Sequence, residues 1–515
     1  MKTITRDASR RSFLAHSAAF GALAGAGAPL ALNLAAIGNA QAQAAADYRA
    51  LVCIFLFGGN DAYNMVLPTD ATPFANYTAV RSQAPDSIAL LAPGTAPDAA
   101  AAAGSPARLG GVLPIAAANL PGVGFALHPL MGSLQTLFTT DRRLAVVTNV
   151  GPLLRPTTKA QYGQSSHPKP PSLFSHNDQQ NTWQALAPEG ATRGWGGRLA
   201  DMLVGLNGKP VFTAVSASGP AVWLAGTQVR QYQVSSNGAI RMGVDGSGRI
   251  YGSADVGAAM KRIVARASAA HVLERDIAAV SARSLDAEAA LAAALKPASD
   301  PLFGTSPASG TYNANTDPRL MYPNPLTGAI AANPLAQQLQ IVARMIDAAG
   351  NANDGASRQV FFVSLGGFDT HDNQNRAQAD LMARLAHGLS YFDATLGLMG
   401  ARSRVTTFTA SDFGRTFTSN GDGTDHGWGS HHFVMGGAVD GGKIFGTFPV
   451  LGIKNANDNN FNSNDQLGNG ALLPTTAVDQ LGATLGRWFG ASDQQLLDVF
   501  PNLGQFASSN LGFMV

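Results

Sequence analysis

Four apolar runs of this 515-residue chain end in residues able to ligate a metal or move a proton. "LVCIFLFGGND" delivers Asp61, "VFFVSLGGFDTHDNQ" delivers Asp369, His371 and Asp372, and "RVTTFTASDFGRT" delivers Ser411, Asp412 and Arg415. "GTDHGWGSHHF" adds Asp425, His426, His431 and His432. Carboxylate oxygens and neutral imidazole nitrogens bind zinc at roughly 2.0–2.2 Å, and harder cations prefer the oxygens. Two such ions about 3.5–4 Å apart can clamp the attacking and leaving oxygens at a phosphorus or sulfur centre. Any one fragment also suits a turn or a helix cap, where Asp and Asn serve local hydrogen bonding. Their joint occurrence at four strand ends predicts one site, suited to one-metal or two-metal hydrolysis. Arg415 could clamp an anionic oxygen bidentately, the alternative being a structural ion pair. His431 and His432 are strand neighbours that point to opposite faces, so at most one faces the site.

The elements that must present these residues follow from the apolar pattern. The continuous run 51–57 ends in Gly58-Gly59 and reads as a strand buried on both faces. Residues 144–151, 359–365 and 404–410 read as further strands, "HHFVMGGAV" as a short one, and 335–349, 376–398 and 476–489 as helices. Strands alternating with helices predict an α/β class, a three-layer α/β/α sandwich around a mostly parallel sheet. Ligands of such sheets sit beyond the carboxyl ends of the strands, where Asp61 falls. The Ala-rich residues 258–295 predict one or two long helices. "GKPVFTAVSASGPAVWLAG" suggests two short strands, and "QSSHPKPPSLFSHNDQQNTW" an irregular surface segment in which His176 and Asp178 either support the site or cap a turn. Residues 92–125 and 298–333 read as loop insertions in a single domain spanning 45–515.

The first 44 residues read as an address. Arg10 and Arg11 in "SRRSFL" match a twin-arginine export signal, and "NAQAQA" offers cleavage after Ala42 or Ala44. The Ala/Gly/Leu-rich stretch between them is too weakly apolar for a comfortable membrane span. A periplasmic or otherwise exported protein is expected, with the twin-arginine translocase as its partner during export and no transmembrane anchor after cleavage. With 35 Lys+Arg against 33 Asp+Glu and no basic stripe, a nucleic-acid partner is excluded on electrostatic grounds. The single cysteine, Cys53, lies inside an apolar run and reads as a small buried hydrophobe, with no disulfide or metal-binding Cys pair to form.

The motifs "FLFGGNDAYNMVLP", "SHNDQQNTW", "GWGGRL", "GGFDTHDNQ", "SDFGRT", "GTDHGWGSHHFVMGGAV" and "LGRWFGASDQQLLDVFPNL" span nearly the whole chain after residue 44. In these the chain resembles the domain-of-unknown-function 1501 family of exported bacterial proteins. That family is grouped by fold with the alkaline phosphatase and sulfatase superfamily. The resemblance implies an alkaline phosphatase-like fold and a divalent metal, zinc foremost, as one or two ions. It implies hydrolysis of a small anionic phosphate or sulfate ester, with Asp61 as first metal ligand. Asp369 and His371 would then serve one metal, Asp412 the other, and His426 would be the last histidine ligand. Ser175 in "FSHND" would be the nucleophile, its hydroxyl activated at the metal, with His176 and Arg415 completing the catalytic set. The chain departs from that pattern at Phe413, where alkaline phosphatases carry a second histidine after the aspartate. His431, His432 or His176 would have to fill the gap. The other class to weigh is a non-catalytic exported protein on the same fold, binding an anionic ligand or a surface partner.

Overall fold

Arg49–Phe57 is apolar along its whole length because it is the middle of a sheet, with Ala50 to Leu56 all fully buried. A computed structural model describes residues 48–236, 238–239, 249–265, 271–351, 356–454 and 460–515; Arg10, Arg11 and the expected cleavage sites lie outside the described residues. The central strands are Arg49–Phe57 (β1), Leu144–Gly151 (β2), Ala214–Ser216 (β3), Gln231–Ser235 (β4), Gly238–Ala239 (β5), Arg358–Gly366 (β6) and Val405–Ser411 (β7). Arg415–Ser419 (β8) and Thr424–His426 (β9) form a separate antiparallel hairpin. Ser430–Met435 (β10), Ile444–Phe445 (β11) and Thr476–Ala477 (β12) return to the main sheet. Its order is β11-β2-β10-β7-β1-β6-β3-β4-β5, with β12 also paired to β2. The fold is mixed α/β with a large, mostly parallel central sheet, and Arg49–Val515 forms one compact unit.

The helices that bear on the site are Ala71–Arg81 (α1), His176–Ala185 (α2), Trp195–Leu203 (α3), Ala254–Ala265 (α4), Val272–Ala294 (α5), Pro334–Asn351 (α6), Gln374–Leu398 (α7) and Val478–Phe489 (α8). One sheet face, with Leu51, Cys53 and Phe55 of β1, packs on Trp183 of α2, Leu199 of α3 and Leu481 of α8. Full burial of each large apolar side chain here contributes about 1.5–3 kcal/mol. The alternate residues Val52, Ile54 and Leu56 face the other way and are equally buried. On that side α6 lies against β6, and α7 packs on α6. Burial pushes the Cys53 thiol well up, so it stays protonated in the core. No helix among the described residues is long and apolar enough to cross a membrane.

Two segments differ from the sequence expectation. The "SHNDQQNTW" stretch is helical (α2), because the helix's buried face is largely polar and satisfied by hydrogen bonds rather than by apolar spacing. Gln184 accepts from Trp223 N at 3.2 Å, and Thr182 donates to Asp178 O at 2.7 Å. In "AVSASGPAVWLAG" only Ala214–Ser216 is a strand, and Val222–Leu224 makes a 3-10 turn. That turn drives Trp223 into the core, against Gly196, where a Cβ would come within 2.4 Å of the indole. Strand β10 runs antiparallel to β7. The chain returns from β7 through the β8–β9 hairpin without a crossover helix and enters β10 from the end at which β7 leaves the sheet, as an antiparallel neighbour does.

Candidate metal centre

The parallel strands β1, β6 and β7 end side by side, with Phe57 opposite Gly366 and Leu56 opposite Ser411. Two glycines let these ends close on one another. Gly58 has φ +115°, and a Cβ on it would stand 2.3 Å from Asp369 N. Gly59 has φ +85°, and a Cβ there would stand 2.3 Å from the Phe413 ring. Both the left-handed backbone and the close approach exclude other residues. The segment after β6 is tied down by Phe368 N donating to Phe57 O at 3.1 Å. The loop after it is held by the β8–β9 hairpin, through Thr424 N to Thr370 O at 3.0 Å and Asn420 Nδ2 to His371 O at 2.7 Å.

On this edge Asp369 Oδ1 is the hub. It lies 3.0 Å from His371 Nε2, 3.4 Å from His176 Nε2 and 3.5 Å from His426 Nε2. His371 Nε2 and His426 Nε2 are 3.0 Å apart. The second ring nitrogens set the tautomers of two of these histidines. His426 Nδ1 donates to Phe174 O at 2.6 Å, and His176 Nδ1 donates to Asp412 Oδ2 at 2.7 Å. Each therefore presents an Nε2 lone pair toward the carboxylate oxygen. His176 Nε2 is buried and makes no hydrogen bond. Lone pairs facing a carboxylate oxygen repel unless a cation or a proton sits among them. Three of these distances fan out from Asp369 Oδ1 and the fourth joins His371 to His426, all near the roughly 3.3–3.4 Å between neighbouring ligands of tetrahedral zinc with bonds of 2.0–2.1 Å. The donor set thus fits a divalent metal. Two groups bring their ligand atoms within 4.8 Å of one another: His176, Asp369 and His426, and His371, Asp425 and His426.

The electrostatics follow from the same contacts. The Asp412 hydrogen bond, helped by Asp369, raises the His176 pKa above that of an ordinary imidazole despite partial burial. Burial lowers that of His426 and outweighs the Phe174 carbonyl bond, which works to raise it, while the nearby Arg415 guanidinium pushes it down as well. Burial works to raise the Asp369 carboxyl, but the Arg415 guanidinium and the two histidines outweigh it and hold it below the usual carboxylate range. Asp369 is thus kept ionised, as a ligand must be.

A family model described as "Protein of unknown function (DUF1501)" matches residues 48–500. The chain belongs to this family. No curated protein matches it. Among solved structures, the crystal structure of Ps i-CgsB in complex with k-i-k-neocarrahexaose is similar at 10% identity, covering 73% of this chain and 71% of that one with a TM-score of 0.29. The crystal structure of Ps i-CgsB alone is similar at 8% identity, covering 89% and 77% with a TM-score of 0.31. Likeness at that level carries no argument about chemistry.

In this DUF1501 chain the expected site residues divide into those at the cluster and those held elsewhere. Asp369, His371, His426 and His176 converge. Asp412, expected as a ligand, joins neither grouping of ligand atoms and stands behind His176. Asp61, expected as first ligand, is fully buried in an ion pair with Arg81, and also accepts from Gln374 Nε2 and Tyr63 N. Arg415, expected to clamp substrate, has a fully buried side chain with four committed hydrogen bonds. They run to Asp369 Oδ1 at 2.9 Å, Gly58 O at 3.4 Å, Thr424 O at 2.5 Å and Thr424 Oγ1 at 3.3 Å. Its guanidinium holds Asp369 in place and has little left for an anion. Ser175 occupies the N-cap position of α2, and its side chain makes no cap bond.

His432, the expected replacement ligand, points into the core with its ring centroid 5.7 Å from that of Trp183. Its neighbour His431 accepts from Asn149 N at 3.1 Å. Neither strand face carries them to the cluster, because β10 is buried on both sides. Burial pushes His431, His432 and His128 down to about 3, so all three are neutral in the folded chain. Below about pH 6.5 the unfolded chain takes up protons that these residues refuse when folded. Stability is therefore complete above that pH and falls toward pH 3, by up to ~1.4 kcal/mol per pH unit for each histidine. His176, with its raised pKa, acts in the opposite sense near neutrality. The net expectation is a urea midpoint clearly lower at pH 5 than at pH 7; an unchanged midpoint would refute it.

Several contributors had no signal of their own in the sequence. Gln180, Gln374, Thr424 and the Phe174 carbonyl act by hydrogen bonding to the residues above, and Arg81 through its buried ion pair with Asp61. One retrospective cue exists: Gln180 stands four residues after His176, the spacing of one helix face.

Proposed function

We propose that this chain is an exported, metal-dependent hydrolase of phosphate or sulfate esters on an alkaline phosphatase-like fold. The observation that carries this reading is the convergence of Asp369 Oδ1 with the Nε2 atoms of His371, His426 and His176 at 3.0–3.5 Å. Nitrogen-rich donors of this kind favour zinc. The bound ion would supply Lewis acidity toward an ester oxygen and would ease ionisation of a nearby hydroxyl. The chain's own residues do the rest. Asp369 and the histidines hold the centre, and Arg415 fixes Asp369. The Ser175 hydroxyl, uncommitted and adjacent to His176, is the nucleophile. The Phe413 ring packs 4.8 Å from the His176 ring and 4.7 Å from the His426 ring, keeping water away from their inner faces. Export through the twin-arginine translocase, with cleavage after Ala42 or Ala44, is part of the same reading.

The test is metal content of the chain purified from its export route, followed by turnover of aryl phosphate and aryl sulfate with and without Ser175→Ala. Stoichiometric metal and a Ser175→Ala loss of at least roughly 1,000-fold in turnover are expected. A chain without metal, or an unaffected Ser175→Ala variant, would sink the reading. A second reading, a non-catalytic exported protein binding an anionic ligand or a surface partner, is favoured by the commitment of Arg415 to protein acceptors. It predicts metal without turnover of either ester.

A further inference from the structure

We infer that Asp412 is a positioning residue rather than a ligand. With Gln180 it fixes His176, so that a histidine from helix α2 replaces the ligand that Phe413 does not provide. The inference rests on the metal reading above and specifies how one of its donors is held.

Asp412 is fully buried, and its Oδ2 receives three donors: His176 Nδ1 at 2.7 Å, Gln180 Nε2 at 2.7 Å and Gly58 N at 3.2 Å. An oxygen with three donors on it has no lone pair to spare for a cation. The other oxygen, Oδ1, is buried without a hydrogen bond, and Asp412 belongs to neither grouping of ligand atoms. Two of the three donors come from α2, one turn apart on one helix face, so the helix grips the carboxylate at two points. The third comes from Gly58, in the left-handed turn that closes the strand ends.

The grip decides which nitrogen of His176 is free. With Nδ1–H donated to Asp412, the Nε2 lone pair is aimed at Asp369 Oδ1, 3.4 Å away. The next residue, Phe413, packs its ring against both His176 and His426. The Asp412-Phe413 pair therefore serves the histidines from behind, one residue by a hydrogen bond and the other by contact. Carboxylates behind metal-bound histidines are worth about 10–100-fold in metal affinity when removed.

The test is Zn²⁺ affinity of the full exported chain by chelator competition, for the wild type, Asp412→Asn, Gln180→Leu, His176→Ala and the His176→Ala/Asp412→Asn double variant. The melting temperature of the metal-free chain serves as fold control. Asp412→Asn is expected to lose roughly 10–100-fold and Gln180→Leu a smaller amount in the same direction. The double variant should bind no more weakly than His176→Ala alone, because Asp412 acts only through His176. A purely structural Asp412 would not show that non-additivity. Additive losses in a wild type that binds Zn²⁺ would overturn this inference alone. A wild type that binds no Zn²⁺ would overturn the hydrolase reading and this inference with it. Should Asp412→Asn fail to fold, Gln180→Leu decides: its half-buried side chain bonds only Asp412, and unchanged affinity there refutes the role.

Discussion

Asp369→Ala is expected to abolish metal binding and ester turnover together, with Zn²⁺ affinity falling by more than about 100-fold, beyond what loss of a supporting residue costs. The physical reason is the hub position of its Oδ1, the anionic member of a donor set whose other members are imidazoles. Without it, His176 and His426 lose the carboxylate that both face and that would offset the charge of the cation. The fold should survive, because the Asp369 side chain is 47% exposed and removing it opens no core cavity. What does suffer is Arg415, whose buried guanidinium loses its carboxylate partner but keeps the Gly58 and Thr424 oxygens. Asp369→Asn separates the two effects, keeping an acceptor for Arg415 while removing the charge. Elemental analysis after dialysis against a weak chelator, together with aryl ester assays, reads the outcome. Full metal content in Asp369→Ala would place the metal elsewhere.

Asp61→Ala should unfold rather than inactivate. Asp61 and Arg81 form a fully buried ion pair, and removing one partner leaves an uncompensated charge at a cost of about 3–5 kcal/mol. The environment gives Arg81 other attractions but no second carboxylate contact. It stacks 5.5–6.0 Å from the Tyr63, Tyr77 and Phe417 ring centroids and donates to the carbonyls of Thr416 and Phe417. Burial raises the Tyr77 hydroxyl, and that of Tyr63, well above the usual phenol range, so neither supplies an anion. The paired replacement Asp61→Leu with Arg81→Met should cost less than either single change, since it removes both charges from the core. Urea unfolding of the metal-free chain measures both. If Asp61→Ala keeps its stability and loses metal, Asp61 is a ligand after all.

Much of the frame was legible because it depends on local pattern. The apolar runs that became β1, β2, β6 and β7 are buried on both faces, so their composition needed no alternation to be read. Helices α6, α7 and α8 carried apolar spacing of their own. Helix α2 was illegible for the opposite reason: its buried residues include Gln179, Thr182 and Gln184, whose burial is stabilised by hydrogen bonds that only the folded chain supplies. Reading it as an irregular segment hid the one-turn relation between His176 and Gln180.

The sequence by itself determined that carboxylates and imidazoles would gather at the carboxyl edge of a mostly parallel sheet. Apolar runs terminated by Gly-Gly-x-Asp and Ser-Asp leave little freedom about where those residues emerge. Only the tertiary structure decided which of them meet. Asp61, Asp369 and Asp412 all follow strand ends, yet Asp61 is captured by Arg81, Asp412 by His176 and Gln180, and Asp369 alone faces the histidines. His432 lost its expected place because both faces of β10 are core, and His176 gained one because α2 carries it to the edge. The reason is competition. A carboxylate or an imidazole in a low-dielectric interior is held by whichever charged or hydrogen-bonding partner the fold brings nearest. Nearness across 200 or more residues, as between His176 and Asp412, is a property of the folded sheet and not of any stretch of the sequence.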